Sequence, residues 1–132
     1  MKKVSKVILL NPERKILLQL WDNKKDIPFP NQWSLFGGLV DEGESAEECV
    51  LREVYEELGI ALEKVELVLV RIRDESGQSV EDNIFASKVT VDETKLELTE
   101  GADMKWFSVA ELQEADIVPH FKNVIINYCN TL

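Results

Sequence analysis

Apolar residues along the chain recur with two periods, and the change between them sets out the elements. "KVILL" and "KILLQLW" are apolar runs separated by "NPER". Asn-Pro marks a turn, so the pattern predicts a β-hairpin. "DNKKDIPFPNQ", rich in turn residues, reads as a surface loop, and "WSLF" predicts a short strand running into Gly37 and Gly38. The period then becomes helical. Ser45 and Glu48 match the capping box S-x-x-E, and Gly59 stands where a helix-ending glycine belongs, so a helix is predicted from about Ala46 to Leu58. "KVELVLVRIR" and "VEDNIFASKVTV" predict two strands joined by "DESGQS", and "MKWF" a further short one. "SVAELQEA" predicts a short helix with its own capping box, Ser108 and Glu111. "VPHFKNVIINYCN" predicts a last helix, with Pro119 in its first turn, where proline is tolerated.

Strands, helix, strands, helix is the order of an α+β fold of the wider α/β class, with a mixed sheet and helices on both faces. No internal repeat, low-complexity tract or linker interrupts it. A single domain over residues 1–132 is therefore expected. A chain of that length buries roughly two-thirds of its unfolded surface, enough for a core without staples.

Charge narrows the functions. The net charge is −10 and the lysines and arginines are scattered, which argues against long nucleic acid as a partner. An acidic protein still binds a small polyphosphate when metal ions supply the positive charge. Two cysteines, Cys49 and Cys129, are too few for a disulfide framework or a zinc site. They read as reduced, packed residues of a cytoplasmic protein. Lys6 interrupts the first apolar run, so "MKKVSKVILL" reads as a strand rather than a leader, and no run approaches a membrane span.

The acidic helix is the unusual feature. From Asp41 to Glu57 there are eight carboxylates and one arginine. At about 100° per residue, Glu53, Glu56 and Glu57 share one arc and continue the side of Ala46, Cys49 and Val50. A solvated face explains Glu47 and Glu48. It fits Glu53 and Glu57 poorly, because they flank the apolar direction and repel each other at i, i+4. Clustered hard oxygen ligands suit Mg²⁺ or Mn²⁺, which would remove the conflict.

The spacing is sharper still. From Gly38 come five residues, Glu44, seven residues, then Arg52-Glu53-Val54-Tyr55-Glu56-Glu57-Leu58-Gly59-Ile60. This resembles the Nudix box, G-x5-E-x7-R-E-U-x-E-E-x-G-U with U aliphatic, at every fixed position. "TEGADMKWFSVAEL" also resembles the segment that follows the box in that superfamily. The resemblance implies a Nudix-type α/β/α sandwich and hydrolysis of a nucleoside diphosphate linked to another group. It implies that Glu53, Glu56, Glu57 and the carbonyl of Gly37 hold two or three Mg²⁺ or Mn²⁺ ions. Glu100 resembles a further glutamate that some members use as a ligand. Glu53 is the implied base for the attacking water, with Arg52 and Glu44 as its supporting charges. Phe36 departs from the proline common before the double glycine, and it faces either the core or the pocket.

Substrate signals are weaker. Trp33, Leu35, Phe36 and Phe29 precede the box and are candidates to border a base pocket, against ordinary packing for each; Lys24 and Lys25 are candidates for phosphate contacts, against a solvated loop. His120 reads as a capping or surface residue. A nucleoside triphosphate is the expected substrate, of the MutT-like type. ADP-ribose, a nucleotide sugar or a dinucleoside polyphosphate are the alternatives within the enzyme class. A Nudix-fold nucleotide-binding domain without hydrolysis is the alternative outside it, and the retained box glutamates argue against it. A monomer or homodimer is expected, with no membrane partner.

Overall fold

A computed structural model describes residues 1–20, 32–90 and 103–132. The order is β1 (Lys2–Leu10), β2 (Ile16–Leu20), β3 (Trp33–Ser34), β4 (Phe36–Leu39), α1 (Ala46–Leu58), β5 (Glu66–Glu75), β6 (Gln78–Lys88), β7 (Asp103–Phe107), α2 (Val109–Glu114) and α3 (Pro119–Cys129). Among these residues the strands form one mixed sheet. Its main path is β3-β2-β1-β6-β5, with β4 on β1 and β7 on β2. β1 and β6 run parallel from Lys2↔Val80 to Leu10↔Lys88, and β5 and β6 are antiparallel.

The predicted first hairpin forms, closed by Asn11, whose side chain accepts from Lys15 N at 2.8 Å. The "DESGQS" turn tightens to Ser76 and Gly77, both at positive φ, which joins right-twisted strands in register at Glu75↔Gln78. The "WSLF" strand is two strands. Trp33–Ser34 pairs with β2, and Phe36–Leu39 pairs with β1. The reason lies in β1 and β2, which pair only at Leu9↔Leu17 and Leu10↔Ile16 beside their turn. Below that they diverge. The chain enters the gap and changes partner at Leu35.

Alternation along the central strands divides their side chains between two cores. Val7, Leu9, Leu17, Phe36 and Phe85 meet Val50, Val54 and Leu58 of α1. Ile8, Leu10, Ile16, Leu18, Leu35 and Ile84 meet α2 and α3 through Leu112, Phe121 and Ile125. The expected α/β/α sandwich is therefore present. Among the described residues, no helix is long and apolar enough to cross a membrane.

Candidate active site

Helix α1 spans the predicted residues, with both predicted ends. Ser45 and Glu48 cap each other's backbone N–H groups, and Gly59 turns left-handed at φ 72°. The buried Ser5 hydroxyl on β1 donates to the Ala46 carbonyl at 2.7 Å, tying the first helical turn to the sheet. This fixes the azimuth of the helix. Val50, Val54 and Leu58 point into the core, and the glutamates beside them meet the sheet at graded depth. Glu57 is 5% exposed, the Glu53 side chain 20% and the Glu56 side chain 56%.

The double glycine lets the chain pass close to β1 and to Glu53. A Cβ on Gly37 would lie 2.0 Å from the Ser5 carbonyl oxygen, and one on Gly38 would lie 2.6 Å from the Glu53 carboxyl carbon. Any side chain at Gly37 would strike β1, and any at Gly38 would displace Glu53. Gly37 also sits at φ 140°, where other residues are strained. Its N–H donates to Glu57 Oε1 at 3.2 Å.

Arg52 is shared among four carboxylates. Its Nε donates to Glu44 Oε2 at 2.7 Å and its Nη2 to Glu44 Oε1 at 3.0 Å, a two-pronged pair. Nη1 reaches Glu53 at 3.1 Å and Glu56 at 3.3 Å, and Nη2 reaches Asp41 at 3.3 Å. The hydrogen bond from Arg52 holds the Glu44 carboxyl down to about 2, helped by the Asp41 N–H. Burial raises the Glu53 carboxyl, against the pull of Arg52. Burial pushes Glu57 further, to about 7, against the charge of Lys6 and hydrogen bonds from Gln19 and Gly37. Lys6 is itself buried, with Glu57, Glu53 and Asp82 as its charged neighbours, and burial lowers its amine.

The three box glutamates thus lie side by side, but they are held by protein donors. Arg52 Nη1 takes Glu53 and Glu56, while Gln19 and Gly37 hold Glu57. Among the described residues, no three acidic, histidine or cysteine side chains converge as a ready-made cation cage. The donor set nevertheless fits a hard divalent ion, since the ligands are all carboxylate oxygens on one helix face.

Other expectations meet the structure differently. Leu35 and Phe36 were candidates for the border of a base pocket. Both are fully buried, Leu35 in the α2/α3 core and Phe36 in the α1 core, so neither side chain is open to a ligand. Trp33 is half-buried and packs edge-on against Phe107 at 4.9 Å. It lines an open cleft of about 500 Å³ with Lys105, Phe107, Ala110, Glu111, Glu114 and Ala115, and no α1 glutamate borders that cleft. A second cavity, of about 440 Å³, lies between Ile60–Glu66 and Tyr128 and also excludes them. His120 sits at the start of α3, edge-on to Phe121, with its carbonyl accepting from Arg71. Glu100, Phe29, Lys24 and Lys25 lie outside the described residues.

Sequence reasoning missed Lys6, Gln19 and Asp41. The first two carried a signal, since each is a polar residue inside an apolar strand. Asp41 carried none beyond being one acid among many.

A family model described as the NUDIX domain matches residues 2–128. The chain is 36% identical over 124 residues to a Bacillus subtilis (strain 168) protein given as a candidate 8-oxo-dGTP diphosphatase, covering 94% of this chain and 77% of that protein. It is 34% identical over 119 residues to a prenyl-diphosphate phosphatase of Methanosarcina mazei, covering 86% and 67%. The crystal structure of a MutT protein from Methanosarcina mazei Go1 shares the fold at a TM-score of 0.83 and 21% identity, over 98% of this chain and 93% of that one. A MutT Nudix hydrolase from Burkholderia pseudomallei superposes at 0.79 with 25% identity, over 96% and 95%. The chain belongs to the NUDIX domain family and is a Nudix hydrolase.

Proposed function

We propose that the protein hydrolyses a nucleoside triphosphate to the monophosphate and pyrophosphate, using Mg²⁺ or Mn²⁺ held by α1. The observation that carries this reading is the buried Glu57 beside Glu53 and Glu56 on one face of α1, with Gly38 leaving the space that the Glu53 carboxyl fills. The proposed ligands are Glu53, Glu56, Glu57 and the Gly37 carbonyl, with Glu100 as a further one. Held there, such ions would neutralise phosphate oxygens and lower the pKa of a coordinated water.

The chain's own groups do the rest. Glu53 accepts the proton of the attacking water. The new P–O bond forms at the phosphorus nearer the nucleoside as the bond to pyrophosphate breaks. Arg52, anchored by Glu44, holds the loop of Asp41 against the helix and balances the carboxylates. Trp33 is the half-buried aromatic candidate for the base, in a cleft with Phe107 and Lys105 that the α1 glutamates do not border. The triphosphate reading is supported by the relative given as a candidate 8-oxo-dGTP diphosphatase. The prenyl-diphosphate phosphatase among the relatives makes an organic diphosphate the sharpest competitor. Two buried free cysteines support a cytoplasmic setting.

The test is a panel of canonical and oxidised nucleoside triphosphates, ADP-ribose, a nucleotide sugar, a dinucleoside polyphosphate and a prenyl diphosphate. Products are identified by chromatography in ¹⁸O-labelled water. The expected result is the highest kcat/KM for a triphosphate, with the label in the monophosphate. A higher kcat/KM for any other class overturns the substrate assignment.

A further inference from the structure

Gln19 lies on β2 in the run "KILLQLW" and is 4% exposed. Its side chain lies where β1 and β2 diverge and the chain changes partner at Leu35. There Nε2 donates to the Leu35 carbonyl at 3.3 Å and to Glu57 Oε2 at 3.1 Å. The carbonyl and the ionised carboxylate both accept, so the amino end of the amide is the one that fits this position. The other carboxylate oxygen of Glu57 accepts from the Gly37 N–H at 3.2 Å. One donor therefore holds each oxygen from the sheet side.

A glutamate has three side-chain torsions, and an unrestrained one loses that freedom each time it binds an ion. Glu57 has already lost it, because Gln19 and Gly37 fix the plane of its carboxylate. The arrangement matches the general behaviour of metal sites, in which groups that hydrogen-bond a ligand set its orientation and change metal affinity when removed.

We propose that Gln19 is a positioning residue of the active site, which presets the Glu57 carboxylate for a divalent cation without touching the cation or the substrate. This rests on the reading that Glu57 is a metal ligand. A purely structural Gln19, serving only the Leu35 carbonyl, would affect stability and leave metal affinity unchanged.

The experiment is calorimetric titration of MnCl₂ into the native chain, Gln19→Met and Glu57→Gln, with melting curves of each in chelator. Gln19→Met keeps the volume and removes the donor. The expected result is a folded Gln19→Met chain whose Mn²⁺ dissociation constant is about tenfold or more above native. In turnover, its kcat should recover at saturating Mn²⁺ while the KM for the nucleotide stays within about twofold, a split that a disturbed substrate pocket would not produce. If Gln19→Met does not fold, Gln19→Asn, which keeps the amide but falls one methylene short, is titrated in its place with the same expectation. Native-like Mn²⁺ affinity in the folded variant, with Glu57→Gln weakened, overturns the role of Gln19 alone. Native-like affinity in Glu57→Gln overturns the metal-centre reading and this inference with it.

Discussion

Two single residues decide how Glu53 and Glu57 are presented. Gly38 is needed for space, since its added Cβ would fall 2.6 Å from the Glu53 carboxyl carbon. Gly38→Ala should leave the chain folded, move Glu53 and lower kcat by roughly a hundredfold, the cost of an ångström-scale misplacement. Steady-state kinetics beside a melting curve checks this; a native rate would show that Glu53 is not at the chemistry. Glu57 is the second. Glu57→Gln should cut turnover by orders of magnitude with only a modest fall in melting temperature, because Lys6 loses an opposite charge and one of the Gln19 and Gly37 donors loses its acceptor. Its raised pKa, about 7, also gives a sign to the pH dependence. Below that value the folded protein keeps the proton on Glu57, and a cation must displace it. Metal affinity should therefore rise with pH from about 5 to 7 and then level, and Glu57→Gln should flatten that rise. Titrations at several pH values decide it. The box glutamates and Arg52 were legible because their spacing is local, on one helix. Gln19 and Lys6 were not, because their roles come from strands that meet α1 only in the folded chain.

At the scale of elements, α1 carries most of the site, and its ends fix its register. The Ser45 cap and the Gly59 terminator were both readable, because capping acts within four residues of sequence. Ser45→Ala should cost about 1 kcal/mol and lower Tm by a few degrees, with kcat retained at temperatures where the chain is folded. An unchanged Tm would mean that the first turn is held by other contacts, of which the Ser5 bond to Ala46 is the chief one. The split of residues 33–39 into β3 and β4 was not readable. Local pattern shows that a segment is extended, but which neighbour it pairs with depends on where β1 and β2 part. The same division removed Leu35 and Phe36 from the pocket. Neighbouring residues of an extended chain face opposite sides, and at these positions both sides of the sheet are covered.

At the scale of the molecule, a chain of net charge −10 gathers four carboxylates, those of Asp41, Glu44, Glu53 and Glu56, around one arginine. Opposite charge binding only to the native state stabilises it. Mg²⁺ at a hundred times its dissociation constant should add about 2.7 kcal/mol and raise Tm accordingly, with a smaller gain in Glu53→Gln. Equal gains in both would place the ion elsewhere. The central claim is that the α1 carboxylates act through a divalent ion on a phosphoanhydride bond. The most direct measurement is the rate of nucleoside triphosphate hydrolysis by the native chain, titrated with Mg²⁺ and then with excess chelator. Monophosphate and pyrophosphate should appear with Mg²⁺ and cease with chelator; undiminished turnover in excess chelator would show that no divalent ion takes part.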